Sequence, residues 1–405
     1  MKNKETTLIP NLLSPEEAKA LNGLMKEFKV LNSNLADSKV TRPLHEHIGE
    51  AVPIQEPPLS ICPHPYMVPD LNRTSCILAN RIDIGRHYMT TGGFMGLKEP
   101  YEVAVGRLQS FGMYIFDPSS YPVVQKLFSS STFQSTAKKT CPADKQVLDP
   151  FQFNLIVQVP GQTVATHIDG VYFWGATRFE IPQWLLAAMK FSGLFEAEFI
   201  DQIQIVGYFH DWDDDERKGD FVYWNDDKGD PASVPPKPRS GSGIDGSKVI
   251  HAANVYHPDR KPPMTDKNKQ VELRYNGPIS DSWTVYEDGA PMPYTYPSGE
   301  LRSTIVFRAR CFESEEAKER FNRPESVEKI PLPTILSTLQ RDIEAKTNKD
   351  LSQLSRLELG IKIMDHYINY PFPRDVIIPI NYCVLEKLLG GGAFLRFIFR
   401  AVLQC

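Results

Sequence analysis

The chain of 405 residues contains no run of about 18 apolar residues, the length a membrane-spanning helix needs. Its first residues, MKNKETTLIP, lack the apolar stretch of a secretory signal, so a cytoplasmic protein is expected. A clustered basic face is missing too. Forty-five Lys and Arg stand against 50 Asp and Glu, a net charge of −5, so nucleic acid is excluded as the expected partner and a small molecule is favoured. Cysteine is sparse: Cys62, Cys76, Cys141, Cys311, Cys383 and Cys405 include no pair at metal-ligand or redox spacing, and free thiols in a reducing compartment are expected. The 25 glycines and 33 prolines are scattered rather than gathered into low-complexity tracts.

What is present is ordinary globular material, 41% hydrophobic and 23% charged. Ser14-Pro15-Glu16-Glu17 ahead of the apolar-periodic stretch from Ala18 to Phe28 predicts a capped helix. Residues 40–75 read as irregular. From Arg107 onward the chain reads as strands parted by turn signals: RLQSFGMYIF, FNLIVQV closed by Pro160-Gly161, QIQIVGYF, DFVYW, KVIHAANVY and LRSTIVFRARCF, with shorter candidates at 271–275 and 283–286. One helical stretch, 182–199, lies between the second and third of these. Helical stretches follow again at 314–321, 332–346, 351–367 and 384–389.

The fold class expected is therefore mainly β with helical extensions. Three regions follow: 1–106, an N-terminal helix and irregular segment; 107–312, a β core with an inserted loop and hairpin at about 258–300; and 313–405, a helical extension. The tail GGGAFLRFIFRAVLQC reads as a terminal helix docked on the core or on a second subunit. Asp211 to Asp230 holds eight aspartates but lacks the spacing and central glycine of a calcium loop, and reads as a solvated connection. Residues 228–247, rich in Gly, Pro, Ser and Asp, read as a mobile loop able to act as a lid.

The sharpest chemical signal is Thr166-His167-Ile168-Asp169-Gly170, directly after the FNLIVQV strand and its turn. On a strand, residues two apart share a face, so His167 and Asp169 can meet one centre. His251, 82 residues beyond Asp169 in the apolar KVIHAANVY, is the candidate third ligand. Two imidazoles and a carboxylate on one side of a divalent first-row metal form a facial triad with open positions. His257 and His210 are the rival histidines. Alone, each of these residues is ordinary, a His and an Asp in a turn or a histidine satisfied in the core; together, after such a strand, they make the metal site the stronger reading.

This constellation resembles the iron(II)/2-oxoglutarate-dependent oxygenases over roughly the middle half of the chain. The resemblance implies a double-stranded β-helix, or jelly-roll, core and Fe(II), 2-oxoglutarate and O2 at the site, with His167, Asp169 and His251 as metal ligands. It implies an arginine on the strand after the distal histidine, binding the far carboxylate of 2-oxoglutarate, with Ser or Thr two residues on. Arg302 and Thr304 occupy that place, and a guanidinium fork suits a carboxylate. His251 and Arg302 are 51 residues apart, longer than the family's usual spacing, so Arg274 and Arg308 remain rivals. The retained carboxylate of Asp169 implies a hydroxylase, desaturase or oxidative cyclase rather than a halogenase. Around HIDGVYFW the chain also resembles the algal kainoid synthases, which implies a small amino-acid-derived substrate clamped by further basic side chains, with Arg178 and Arg308 as candidates. Tyr172, Phe173, Trp174, Tyr223 and Trp224 are candidate pocket aromatics or core. Two other classes stay open: a zinc hydrolase using the same ligands, and a non-catalytic β-barrel binding protein.

Overall fold

Ser14 starts the first helix as its sequence signal requires. Its hydroxyl accepts the Glu17 N–H at 3.1 Å, the Glu17 carboxylate accepts the Ser14 N–H at 2.8 Å, and Pro15 sits in the first turn, where no donor is needed. Ala18, Leu21, Leu24 and Met25 form its buried stripe. The computed structural model describes residues 6–33, 52–53, 64, 66–69, 75–79, 103, 106–225, 231–265 and 269–371.

In chain order the elements are β1 (Thr7–Ile9), α1 (Pro15–Phe28), β2 (Val30–Ser33), β3 (Val52–Pro53), β4 (Met67–Pro69), β5 (Ser75–Leu78), β6 (Phe111–Ile115), α2 (Pro122–Ser129), α3 (Ser131–Thr140), β7 (Val147–Gln158), β8 (Val164–His167) and α4 (Gln183–Ser192). They continue with β9 (Gln202–Tyr208), β10 (Phe221–Trp224), β11 (Ala232–Val234), β12 (Gly241–Ile244), β13 (Ile250–Ala253), β14 (Val271–Tyr275), β15 (Ser282–Glu287), β16 (Ala290–Pro297) and β17 (Arg302–Phe312). Helices α5 (Glu315–Phe321), α6 (Leu332–Thr347) and α7 (Arg356–Tyr367) follow. The expected helix at 384–389 and the apolar tail lie outside the described residues.

Two units build the chain. The first comprises Met1–Ala36, Gly106–Asp169 and Ile200–Val327. It holds a ten-stranded sheet in the order β1-β12-β9-β17-β7-β6-β2-β14-β15-β16 and a four-stranded sheet in the order β11-β10-β13-β8. All the pairings are antiparallel, and the chain alternates between sheets: β7 in the large one, β8 in the small, β9 in the large, β10 and β11 in the small, β12 in the large, β13 in the small and β17 in the large. Gly161 permits the first crossing. Its φ is +88° and the backbone at Lys261 and Pro262 presses against it, so a side chain would meet both a strained conformation and a neighbour.

The large sheet has two unlike faces. Phe153, Leu155 and Val157 of β7, Ile203 and Ile205 of β9, and Ile305 and Phe307 of β17 join the main core with Leu21, Met25, Phe128 and Phe133 from α1–α3. The alternate residues point the other way and are mostly polar yet buried: Gln152, Asn154 and Gln158; Gln202, Gln204 and Tyr208; Arg302, Thr304, Arg308 and Arg310. Val206, Val306 and Ile156 interrupt this face with a small apolar patch. The hairpin β14–β15 expected within 258–300 is present, and β16 adds a third strand to it.

The second unit comprises Asp37–Val105, Gly170–Phe199 and Glu328–Cys405. Its described part carries the small sheet β3-β5-β4 and the helices α4, α6 and α7. Tyr367 of α7 ties to α6, donating its hydroxyl to the Leu339 carbonyl at 3.3 Å.

Three expectations are corrected. Helices α2 and α3 occupy a stretch in which no element was expected. Residues 231–247 are no lid: β12 is fully buried between β1 and β9, and Asp245 and Ser247 are buried beyond it. Nor are the cysteines among the described residues free. Cys141, at the end of α3, is disulfide-bonded to Cys311 of β17, and Cys76 is disulfide-bonded as well. A separation of 170 residues leaves no spacing signal in the sequence. The expectation of a reducing compartment thereby loses the argument on which it rested. Among the described residues no helix is long and apolar enough to cross a membrane.

Candidate metal centre

The small sheet brings the two histidines together. Strands β8 and β13 run antiparallel with His167 and His251 as direct Cα partners, so both imidazoles leave the sheet on one side. Their ring centroids are 4.3 Å apart, and both residues are buried. In each ring Nδ1 faces the backbone carbonyl two residues earlier: Ala165 at 2.7 Å for His167 and Val249 at 2.9 Å for His251. A carbonyl only accepts, so Nδ1 carries the proton and donates, which puts the lone pair of each ring on Nε2. Burial first, and then the neighbouring His167, holds the His251 imidazole down to about 4, so it is neutral and able to ligate at neutral pH.

Asp169 reaches the same point by another route. Strand β8 ends at His167, so strand alternation is not what directs the carboxylate. Instead the Asp169 N–H donates to the Gly246 carbonyl at 2.8 Å, in the connection between β12 and β13. Oδ1 lies 3.9 Å from His167 Nε2 and Oδ2 lies 3.9 Å from His251 Nε2. One ligand atom from each of the three residues falls within 4.8 Å of the others. Two nitrogens and one carboxylate oxygen, buried and converging from one side, fit a divalent first-row metal.

The polar face of the large sheet supplies further groups. Gln204 Nε2 is 3.3 Å from His251 Nε2, and Arg308 Nη2 is 3.6 Å from Asp169 Oδ2. Arg302 lies six residues back along β17 on the same face. Its Nη1 donates to Gln158 Oε1 at 2.5 Å, its Nη2 reaches the Tyr208 hydroxyl at 3.5 Å, and its Nε has no hydrogen-bond partner among the described residues. Arg302 is buried, and among the described residues no carboxylate stands within ion-pair distance of it. Burial depresses its pKa for the same reason, since desolvation penalises the charge. Thr304 faces the same side, but its hydroxyl donates to the Ile156 carbonyl at 2.9 Å.

The rivals fall elsewhere. His210 is buried, bonded to the Pro236 carbonyl at 2.7 Å and stacked on Trp212 at 3.8 Å. His257 sits at φ +49° beside Asp259. Arg274 is on the hairpin, paired with Glu272 at 2.7 Å. Among the candidate aromatics, Tyr223 lies opposite His251 in the β10–β13 register, and Phe173 packs on Phe195 and Phe199 within the second unit. Arg178 also belongs to the second unit, its guanidinium 5.4 Å from the Phe179 ring. Sequence reading missed Gln158, Gln204 and Tyr208. The signal was available: in QIQIVGY the glutamines recur at every second position of a strand otherwise apolar enough to be central.

No protein-family model matches this sequence, and no curated protein matches it. Solved structures do show likeness. A prolyl hydroxylase from Trichoplax adhaerens, in complex with a peptide fragment of the hypoxia inducible factor oxygen degradation domain, is 10% identical with a TM-score of 0.34, over 78% of this chain and 87% of that one. HygX from Streptomyces hygroscopicus, with nickel and 2-oxoglutarate bound, is 8% identical with a TM-score of 0.30, over 75% and 82%. A prolyl-4-hydroxylase from Pseudomonas putida is 12% identical with a TM-score of 0.28, over 50% and 71%. Likenesses this loose carry no functional argument, which rests instead on the residues of the site.

Proposed function

We propose that this chain is a mononuclear metal-dependent oxidoreductase. More particularly, we read it as a non-haem iron(II)- and 2-oxoglutarate-dependent oxygenase acting on a small organic molecule. The observation that carries this reading is the pairing of a His-Asp-His cluster with a buried guanidinium at Arg302 that has no counter-ion among the described residues. A buried cation without an anion costs several kcal/mol, so the position calls for an anionic ligand. A keto acid has a chelating end for the metal and a distal carboxylate for such a fork. The alternation of strands between the two sheets supports an eight-stranded double-stranded β-helix made of β7–β13 and β17.

His167, Asp169 and His251 would hold iron(II), which, once bound, supplies the chemistry that activates O2. The protein's part is positional. The two carbonyls at Nδ1 lock the imidazole tautomers, Arg302 and the Tyr208 hydroxyl hold the distal carboxylate of 2-oxoglutarate, and the buried barrel face keeps water from the reacting groups. Thr304 assists by bracing β17 against β7 through the Ile156 carbonyl rather than through a free hydroxyl donor. The substrate is read as a small, amino-acid-derived molecule bearing carboxylates, oxidised by hydroxylation, desaturation or ring closure of the kind kainoid synthases perform.

Anaerobic titration with iron(II) and 2-oxoglutarate tests the reading. A weak visible charge-transfer band is expected without oxygen, and slow substrate-independent succinate formation once O2 is admitted, both lost in His167→Ala. A zinc hydrolase would retain zinc and ignore 2-oxoglutarate, and that result overturns the proposal.

A further inference from the structure

Both the carboxylate and the distal imidazole of the metal centre depend on one short turn, residues 245–249, which joins β12 to β13. The Gly246 carbonyl accepts the Asp169 N–H at 2.8 Å, and the Val249 carbonyl faces His251 Nδ1 at 2.9 Å. Gly246 also forms the wall behind the carboxylate: a Cβ there would overlap Asp169 Oδ2 and stand 3.3 Å from His251 Cε1. The turn therefore sets where two of the three ligand atoms lie.

The turn is held in shape by one side chain at its start. Asp245 Oδ1 accepts the Ser247 N–H at 3.1 Å and the Ser247 hydroxyl at 2.6 Å, closing the turn on itself. Its Oδ2 accepts the Gln202 N–H at 3.2 Å, which fastens the turn to β9, and lies 3.3 Å from Lys248 Nζ. The Asp245 carbonyl accepts the N–H groups of Lys248 and Val249 at 3.0 and 2.9 Å. Lys248 in turn pairs with Asp201, which Lys145 also contacts at 2.6 Å. Asp245 and Ser247 are both buried, so these bonds do not compete with water.

We infer that Asp245 is a positioning residue of the metal centre, acting with Ser247 and Lys248 through the Gly246 and Val249 carbonyls to aim Asp169 and His251 at one metal ion. The inference rests on the metal reading above. Groups that orient ligands in this way commonly account for 10–100-fold in metal affinity.

Cobalt(II), added anaerobically to the full chain, serves as the probe, since its ligand-field absorption reports both occupancy and coordination. Asp245→Asn keeps the shape but replaces an accepting oxygen with a donor, and should weaken cobalt binding 10–100-fold with an altered band shape. Ser247→Ala deletes a single hydroxyl and should weaken it by a smaller factor. It carries the comparison if Asp245→Asn does not fold. Lys145→Met breaks the far side of the ionic cluster without touching the turn. It should lower the thermal midpoint yet leave cobalt affinity within about 2-fold of wild type. Unchanged affinity in both Asp245→Asn and Ser247→Ala overturns the inference. So does an equal loss in Lys145→Met, which would reduce the cluster to general stability. Failure of the wild-type chain to bind cobalt overturns the metal reading and this inference with it. Wild-type binding that is abolished in His251→Ala confines any failure to the turn.

Discussion

His167 and His251 face each other as Cα partners across the β8–β13 ladder, their ring centroids 4.3 Å apart. Each has its Nδ1 engaged by a carbonyl of its own strand segment, so the pair is preset with both Nε2 atoms inward before any metal arrives. Preorganisation of this kind lowers the reorganisation required on binding, which makes the pair the first place to test.

Removing either imidazole should abolish tight metal binding while leaving the fold in place. In His167→Ala and His251→Ala, iron(II) affinity should fall by more than about 100-fold, beyond the effect of groups that only orient ligands. Metal content after desalting, alongside circular dichroism, measures this. A His167→Ala protein that holds one equivalent of iron as firmly as wild type contradicts the site.

Arg302→Leu should separate two roles. Losing the guanidinium should raise the dissociation constant for 2-oxoglutarate by roughly 30-fold or more, the effect of truncating one partner of a buried charge pair. Ligand-free protein should lose no stability and even gain some, because a desolvated charge without a counter-ion disappears. Calorimetric titration and thermal melts read the two effects independently. A clear fall in the melting point of the ligand-free variant, with unaltered 2-oxoglutarate binding, would assign Arg302 to the scaffold.

His210 should make the fold acid-labile. Burial pushes its imidazole down to about 3, from an ordinary value of 6.5. Below 6.5 the unfolded chain binds a proton that the folded one refuses, so stability is full above 6.5 and falls as pH drops toward 3. The loss is on the order of 5 kcal/mol at its limit, at 1.36 kcal/mol per unit. Urea midpoints between pH 7 and pH 4 measure the slope, which should flatten in His210→Gln.

The Cys141–Cys311 bond should contribute heavily to stability, since it closes a loop of 170 residues. Chain entropy gives about 5 kcal/mol as an upper figure for such a loop. Cys141→Ser should shift the urea midpoint downward without affecting metal binding, and peptide mapping under non-reducing conditions should recover the linked peptides. Finding both thiols free in protein purified without reductant contradicts the pairing.

The sequence marked some elements fully and others not at all. The capping box at Ser14, the second half of β7, β17 and the turn at Pro160-Gly161 were readable because each depends on neighbours within a few residues. Helices α2 and α3 escaped notice: α2 is short and begins without a side-chain cap, and α3 mixes polar residues around few buried ones. The stretch 231–247 misled because Gly, Ser and Pro suggest a loop. Here Gly241 and Gly243 serve a strand packed so closely that a Cβ at Gly241 would overlap Leu12 and Val206.

Local residue order determined that His167 stands at the end of a strand and that an apolar strand carries His251, because strand propensity and turn chemistry act over a few residues. Only the folded chain decided that these two strands pair in register, that the Gly246 carbonyl captures Asp169, and that Arg302 is buried with no partner charge among the described residues. Those facts depend on contacts between segments tens of residues apart, whose loop-closure cost is repaid only when the sheets assemble together.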